Sequence, residues 1–233
     1  MQRGSRTEDG YAVAEGFHLL EEAITAKARI GAILATPGAA ASLPAIAPIQ
    51  ITDEMTLQQI SSVETSQGVL SLIAVDEQPL GNLFAGVPLV IALDGIQDPG
   101  NAGAVVRSAE AFGATGVVFL KGSVSPWNPK TLRASAGSLF RVAFALADWD
   151  GFEEMRRSNN LHLYSAQPRA ETRIDQVPFR DATAILIGNE GRGVPEAHAR
   201  HAVPIRIPTA GVESLNAAIA AGILLYEARR QRS

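Results

Sequence analysis

From Pro88 onward the chain alternates wholly apolar runs with helical stretches, and that alternation leaves few folds open to it. The runs LVIALDGI (89–96), GVVFL (116–120), VAFAL (142–146), LHLYSA (161–166), TAILIGNE (183–190) and VPIRIP (203–208) predict strands. Between and after them, 102–112, 128–139, 150–158 and 213–230 predict helices. A strand that is apolar on both sides must be covered on both sides, so the pattern predicts an α/β unit built on a parallel sheet.

The first part of the chain has a different texture. Residues 12–24, AVAEGFHLLEEAI, place Phe17, Leu20 and Ile24 on one helical stripe with Leu19 and Ala23 beside it. A short apolar run GAILAT follows, then a Pro- and Ala-rich stretch to Pro48, a helical TLQQISSV and an alternating strand QGVLSLIAV. Residues 1–76 therefore form a small α/β domain, 77–87 a linker rich in Gly, Asn and Pro, and 88–233 a second domain.

Composition removes several classes of function. The chain has no Cys, which excludes disulfides and thiolate chemistry, and His18, His162, His198 and His201 lack a metal-ligand spacing, so no metal is expected. Without a long uncharged apolar run or a leader-like N-terminus, the expectation is a cytoplasmic protein that engages no membrane. A net charge of −4 gives no global nucleic-acid signature. Any RNA surface must be local, drawn from Arg3 and Arg6, from Lys130, Arg133 and Arg141, or from Arg229, Arg230 and Arg232; each cluster serves equally well as a solvated face.

In open α/β sheets ligands bind beyond the carboxyl ends of the strands, and three polar clusters stand there. The first is DPGNAGAVVRSAEAFG (98–113), in which Asn101 reads as a helix N-cap and Gly113 as its terminator. On that helix Ala104, Val105, Ala109 and Phe112 read as buried; Arg107 serves a ligand or the surface, and periodicity alone slightly favours the surface. The second is LIGNEGRGV (186–194), whose glycines let backbone N–H groups approach a ligand; a plain turn explains it as readily. The third is IPTAGVESLNAAIAAGILLYE (207–227), where Glu213, Ser214 and Asn216 exceed what one helix cap needs. The helix behind them is apolar on two faces, one carrying Ile219, Gly222, Ile223 and Tyr226, the other Ala217, Ala221, Leu224 and Ala228. It must therefore be covered twice, by the sheet and by either a partner subunit or the N-terminal domain.

Together, in this order, the three clusters resemble the signature motifs of the SpoU/TrmH family of S-adenosylmethionine-dependent RNA 2'-O-ribose methyltransferases, over about residues 88–230. The first 76 residues, with VAEGFHLLEEA and SQGVLSLIAV, are similar to the L30e-like substrate-binding domain of many members. The resemblance implies a deep trefoil knot in the C-terminal part of the sheet, one of the few exceptions to unknotted topology, and a homodimer formed through the knotted region. It also implies that S-adenosylmethionine contacts Leu186, Gly188, Asn189, Ile207, Pro208, Leu215 and Asn216.

By the same resemblance the catalytic set is Arg107, Asn101, Glu190, Ser214 and Asn216, with Asn101 and Glu190 orienting Arg107 or the ribose. The expected substrate is structured RNA, foremost a 23S-type rRNA, bound by Lys130, Arg133 and Arg141 and chosen by the small N-terminal domain. The alternatives are a tRNA methyltransferase and a non-catalytic RNA-binding or ribosome-assembly protein of the same fold. An unrelated dehydrogenase is disfavoured, because Gly-x-Gly-x-x-Gly does not follow the first strand of the second domain.

Overall fold

The computed structural model describes residues 6–233. A four-stranded sheet forms from β1 (Tyr11–Glu15), β2 (Ile30–Ala35), β3 (Ile49–Ile51) and β4 (Val69–Ala74), in the order β1-β4-β2-β3. Against it lie α1 (Phe17–Thr25), α2 (Pro37–Ala40) and α3 (Glu54–Ile60). The single helix expected over 12–24 divides at Gly16, whose φ of 91° ends the strand, and Tyr11–Glu15 pairs antiparallel with β4 instead. Local helical spacing there yields to a strand partner from 55 or more residues away. Helix α2 falls in the Pro- and Ala-rich stretch and strand β3 directly follows it, where no elements were predicted.

The second sheet has seven strands, all parallel: β5 (Leu89–Asp94), β6 (Gly116–Leu120), β7 (Phe144–Ala147), β8 (His162–Ala166), β9 (Thr172–Arg173), β10 (Thr183–Gly188) and β11 (Val203–Arg206). Their order is β7-β6-β5-β10-β8-β11-β9, so the winding reverses between β5 and β10. Helices α4 (Pro99–Phe112), α5 (Pro129–Ala134), α6 (Trp149–Ser158), α7 (Glu196–Ala199) and α8 (Ala217–Arg232) complete the chain. Every residue of β5 and β6 is buried, as strands covered on both faces require.

Several boundaries differ from the sequence expectation, each for a local reason. The N-cap of α4 is Asp98, whose carboxylate accepts from Asn101 N–H at 2.7 Å, leaving the Asn101 amide free for other work. Gly113 ends α4 in the left-handed region at φ 72°. The helix expected over 128–139 stops at Ala134, because Ala136 (φ 47°) and Gly137 (φ 86°) leave helical space. The last helix starts at Ala217, capped by Asn216, so Glu213 and Ser214 lie outside it. The linker expected over 77–87 is packed: its 3-10 turn Leu80–Phe84 buries Leu83 and Phe84 against the second sheet.

The two sheets share one core. Ala12, Ala14, Leu19, Ala23, Ile73 and Val75 belong to the same buried cluster as Val105, Trp127, Leu132, Leu139 and Phe144. Trp127 Nε1 donates to the Val75 carbonyl at 2.8 Å across the junction. Arg141 reaches both sides, donating to Glu22 of α1 at 2.6 Å and to Glu110 of α4. That guanidinium holds the Glu110 carboxyl below its ordinary value, against the opposing effect of burial.

Candidate active site at the sheet switch point

The reversal between β5 and β10 places the loops after these strands side by side, in the position where open α/β sheets bind ligands. Asp94 and Gly188 are register partners at the two strand ends. After Gly188 the chain folds back at once: Asn189 and Gly193 exchange backbone hydrogen bonds at 3.1 and 2.8 Å. A Cβ on Gly188 would overlap the backbone of Gly193 and Val194, so only glycine permits this return. The Asn189 side chain sets the loop, accepting from Gly191 and Arg192 N–H groups at 3.0 and 3.1 Å and donating to the Gly95 carbonyl at 3.0 Å.

Three residues from the three polar clusters meet here. Asn101 Nδ2 donates to Glu190 Oε1 at 2.7 Å, and Asn216 Nδ2 donates to Asn101 Oδ1 at 2.9 Å. Asn216 Oδ1 meanwhile accepts from Ala218 and Ile219 N–H, so one amide both caps α8 and ties it to α4. Arg107 does not join this group. It is exposed on α4 with no hydrogen-bond partner among the described residues, while Asn101 and Glu190, expected to orient Arg107 or the ribose, bind each other here.

Beside the network lies a cavity of about 690 Å³, bounded by the loops after β8, β10 and β11. Gly188, Asn189, Glu190, Ile207, Ser214 and Leu215 line it. Leu186, Pro208 and Asn216 do not. Leu186 is wholly buried in the core between sheet and helices, Pro208 is exposed outside the cavity, and Asn216 faces Asn101. Sequence reasoning missed the third wall, Gln167, Pro168 and Arg169 after β8, though the strand-end rule that singled out the other loops applies to it equally.

The lining suits a ligand that combines an apolar body with charged ends of both signs. Ile187, Ile205, Ile207 and Leu215 offer apolar surface, glycine backbone allows close approach, and Arg169, Arg192, Glu190 and Glu213 offer both signs of charge. Residues 88–226 match the SpoU rRNA Methylase family, and residues 1–80 match the MRM3-like substrate binding domain. The chain belongs to the SpoU rRNA methylase family.

Its relatives agree along nearly the whole length. The 23S rRNA (guanosine(2553)-2'-O)-methyltransferase RlmP of Bacillus subtilis is 29% identical over 228 residues, covering 96% of this chain and 90% of the relative. The structure of SpoU methyltransferase AviRb from Streptomyces viridochromogenes in complex with AdoMet superposes with a TM-score of 0.86, at 26% identity over 97% of this chain and 92% of that one. The AdoMet-bound rRNA methyltransferase from Sinorhizobium meliloti gives 0.84, at 29% identity over 96% and 88%.

The basic residues of this SpoU methylase are mostly committed. Arg6 stacks on Trp127 at 4.4 Å, Arg230 pairs with Glu227 at 2.7 Å, and Arg232 donates to the carbonyls of Val87, Pro88, Phe179 and Asp181. Arg141 is the clamp described above, with Nε and Nη2 donating to Glu110 and Nη1 to Glu22. Arg133 reaches only Ser62 Oγ at 3.3 Å, and Lys130 is exposed on α5; Arg3 lies outside the described residues. No helix among the described residues is long and apolar enough to cross a membrane.

Proposed function

We propose that this chain transfers a methyl group from S-adenosylmethionine to a ribose 2'-hydroxyl of structured RNA, foremost a 23S-type rRNA, in the cytoplasm. The observation that carries the reading is the meeting of Asn101, Glu190 and Asn216 at the rim of the cavity. When bound, the cofactor supplies an electrophilic methyl group on a sulfonium. The chain's own work is alignment and electrostatics.

Gly188, Asn189 and Leu215 would hold the donor, with Ile207 beside them. The Asn101–Glu190–Asn216 network fixes the rim against which the ribose is placed, and Ser214 offers a hydroxyl on the cavity wall. Arginine has five N–H donors and no acceptor, so Arg107 acts by gripping the phosphate next to the target ribose and stabilising the charge that develops on the 2'-oxygen, as the oxygen–methyl bond forms, the sulfur–methyl bond breaks and the hydroxyl proton passes to solvent water. With no partner among the described residues, its planar fork is available for that task.

The first 76 residues act as an L30e-like reader of RNA. They hold four basic against nine acidic residues, which supports recognition of shape and loop nucleotides, with phosphate contacts left to Lys130, Arg133 and Arg107. The knot is part of the same proposal. Its support is that β10 lies between β5 and β8 while α8 returns to α4, so the loops after β8, β10 and β11 crowd together around one cavity.

A homodimer through α8 and α4 completes the reading. Ala217, Ala221, Leu224, Leu225 and Ala228 are buried beneath α8, whereas Ile219 and Tyr226 are each 55% exposed and the N-terminal domain leaves them uncovered. With Ala104, Ser108, Phe112, Gly222 and Ile223 they line a shallow, mainly apolar groove. Equilibrium binding of S-adenosylhomocysteine separates the enzyme from a non-catalytic relative of the fold: saturable binding supports the enzyme, and its absence removes it.

A further inference from the structure

Helix α7 follows the glycine loop directly, yet it is four residues long and none of them is buried. So short a helix has no stability of its own. Val194 and Ala202 pack on either side of it, and within the helix the anchoring side chain is His198. The imidazole lies 4.0 Å from the Trp149 ring and within 7° of parallel, and its Nδ1 is 2.7 Å from Asp94 Oδ2. Asp94 is 3% exposed and is the last residue of β5, register partner of Gly188. A carboxylate only accepts, so Nδ1 carries the proton of this hydrogen bond.

The loop between is therefore tethered twice to the end of β5. Asn189 Nδ2 binds the Gly95 carbonyl at its start, and His198 binds Asp94 just beyond its end. Residues 188–193 all line the cavity, while His198 itself does not. We propose that His198 is a positioning residue for the cofactor loop: by joining Asp94 to Trp149 it fixes α7, and through α7 the shape in which residues 188–193 receive S-adenosylmethionine. The proposal rests on the cavity being the methyl-donor site.

Replacing the ring removes both the stack and the donor, and leaves a buried carboxylate without its partner, a loss of the order of tenfold or more in any equilibrium that depends on it. The test measures S-adenosylhomocysteine affinity by calorimetry for the full chain and for His198→Ala and His198→Asn, well below their unfolding midpoints. Asn can donate from nearly the same place as Nδ1. The expected result is binding weakened about tenfold by Ala and restored to within about threefold by Asn.

If both variants melt earlier but bind as tightly as the wild type, His198 is only a structural residue and the proposal fails. Should His198→Ala not fold, Trp149→Leu removes the stack and leaves the Asp94 hydrogen bond. It is expected to weaken S-adenosylhomocysteine binding about threefold or more, and unchanged affinity overturns the proposal. Wild-type protein that binds no S-adenosylhomocysteine at all would instead refute the reading of the cavity.

Discussion

Asn216 Nδ2 donates to Asn101 Oδ1 at 2.9 Å across 115 residues of chain, and the same Asn101 donates to Glu190 at 2.7 Å. One amide thus uses both its acceptor and its donor to join the first turn of α4 to the loops after β10 and β11. Asp at 101 could accept but not donate, and it would set a second carboxylate against Glu190. Asn101→Asp is expected to lower kcat/KM by about tenfold to a hundredfold, read by methyl transfer to rRNA. Unchanged turnover would show that the bridge is idle.

Arg107 separates binding from chemistry. It lines neither the cavity nor the Asn101 network. Arg107→Ala is expected to bind S-adenosylhomocysteine within about twofold of wild type while kcat falls by about a hundredfold or more, the scale of losing one donor to a developing oxyanion. Arg107→Lys keeps charge but not the planar fork, and full activity there would contradict the bidentate role.

The sequence displayed the sheet more clearly than the site. Continuous apolar runs such as 89–94 and 116–120 have one way to be covered, so the parallel sheet was legible from them. Tyr11–Glu15 was not, because helical spacing is a local signal and its strand partner lies in β4. Motif residues Asn101, Glu190 and Asn216 were found by their strand-end positions, but their mutual bonds were not, since hydrogen bonding over 89 and 115 residues leaves no trace in spacing. Arg141 was legible only as a charge that serves an RNA surface or a solvated face equally well, and the fold sets Glu22 and Glu110 beside it.

That clamp has a pH signature. The Arg141 hydrogen bond depresses the Glu110 pKa below its ordinary 4.5, so the folded state favours the ionised carboxylate. Its stabilisation is complete above the unfolded value and disappears as pH falls through the lower folded value. Chemical denaturation of wild type and Glu110→Gln is expected to differ by about 0.5–1 kcal/mol at neutral pH for this partly exposed pair, and to converge once pH drops well below 4.5. A difference that persists in acid would place the effect of the substitution elsewhere.

The exposed stripe of α8 gives a separate expectation. Ile219 is 55% exposed beside Phe112 and Tyr226, whose rings meet edge to face at 5.8 Å. Ile219→Asp puts a charge where the partner helix would pack, and sedimentation is expected to show a dimer becoming a monomer with the fold retained. A wild-type monomer at micromolar concentration would contradict the dimer.

The most direct test incubates the purified chain with S-adenosylmethionine labelled in its methyl group and either 23S-type rRNA or tRNA lacking the modification, then digests the RNA to nucleosides. The account predicts label in a single 2'-O-methyl nucleoside from the rRNA, lost with Arg107→Ala. Label on a base, or none on either RNA from a chain that binds the cofactor, would contradict it.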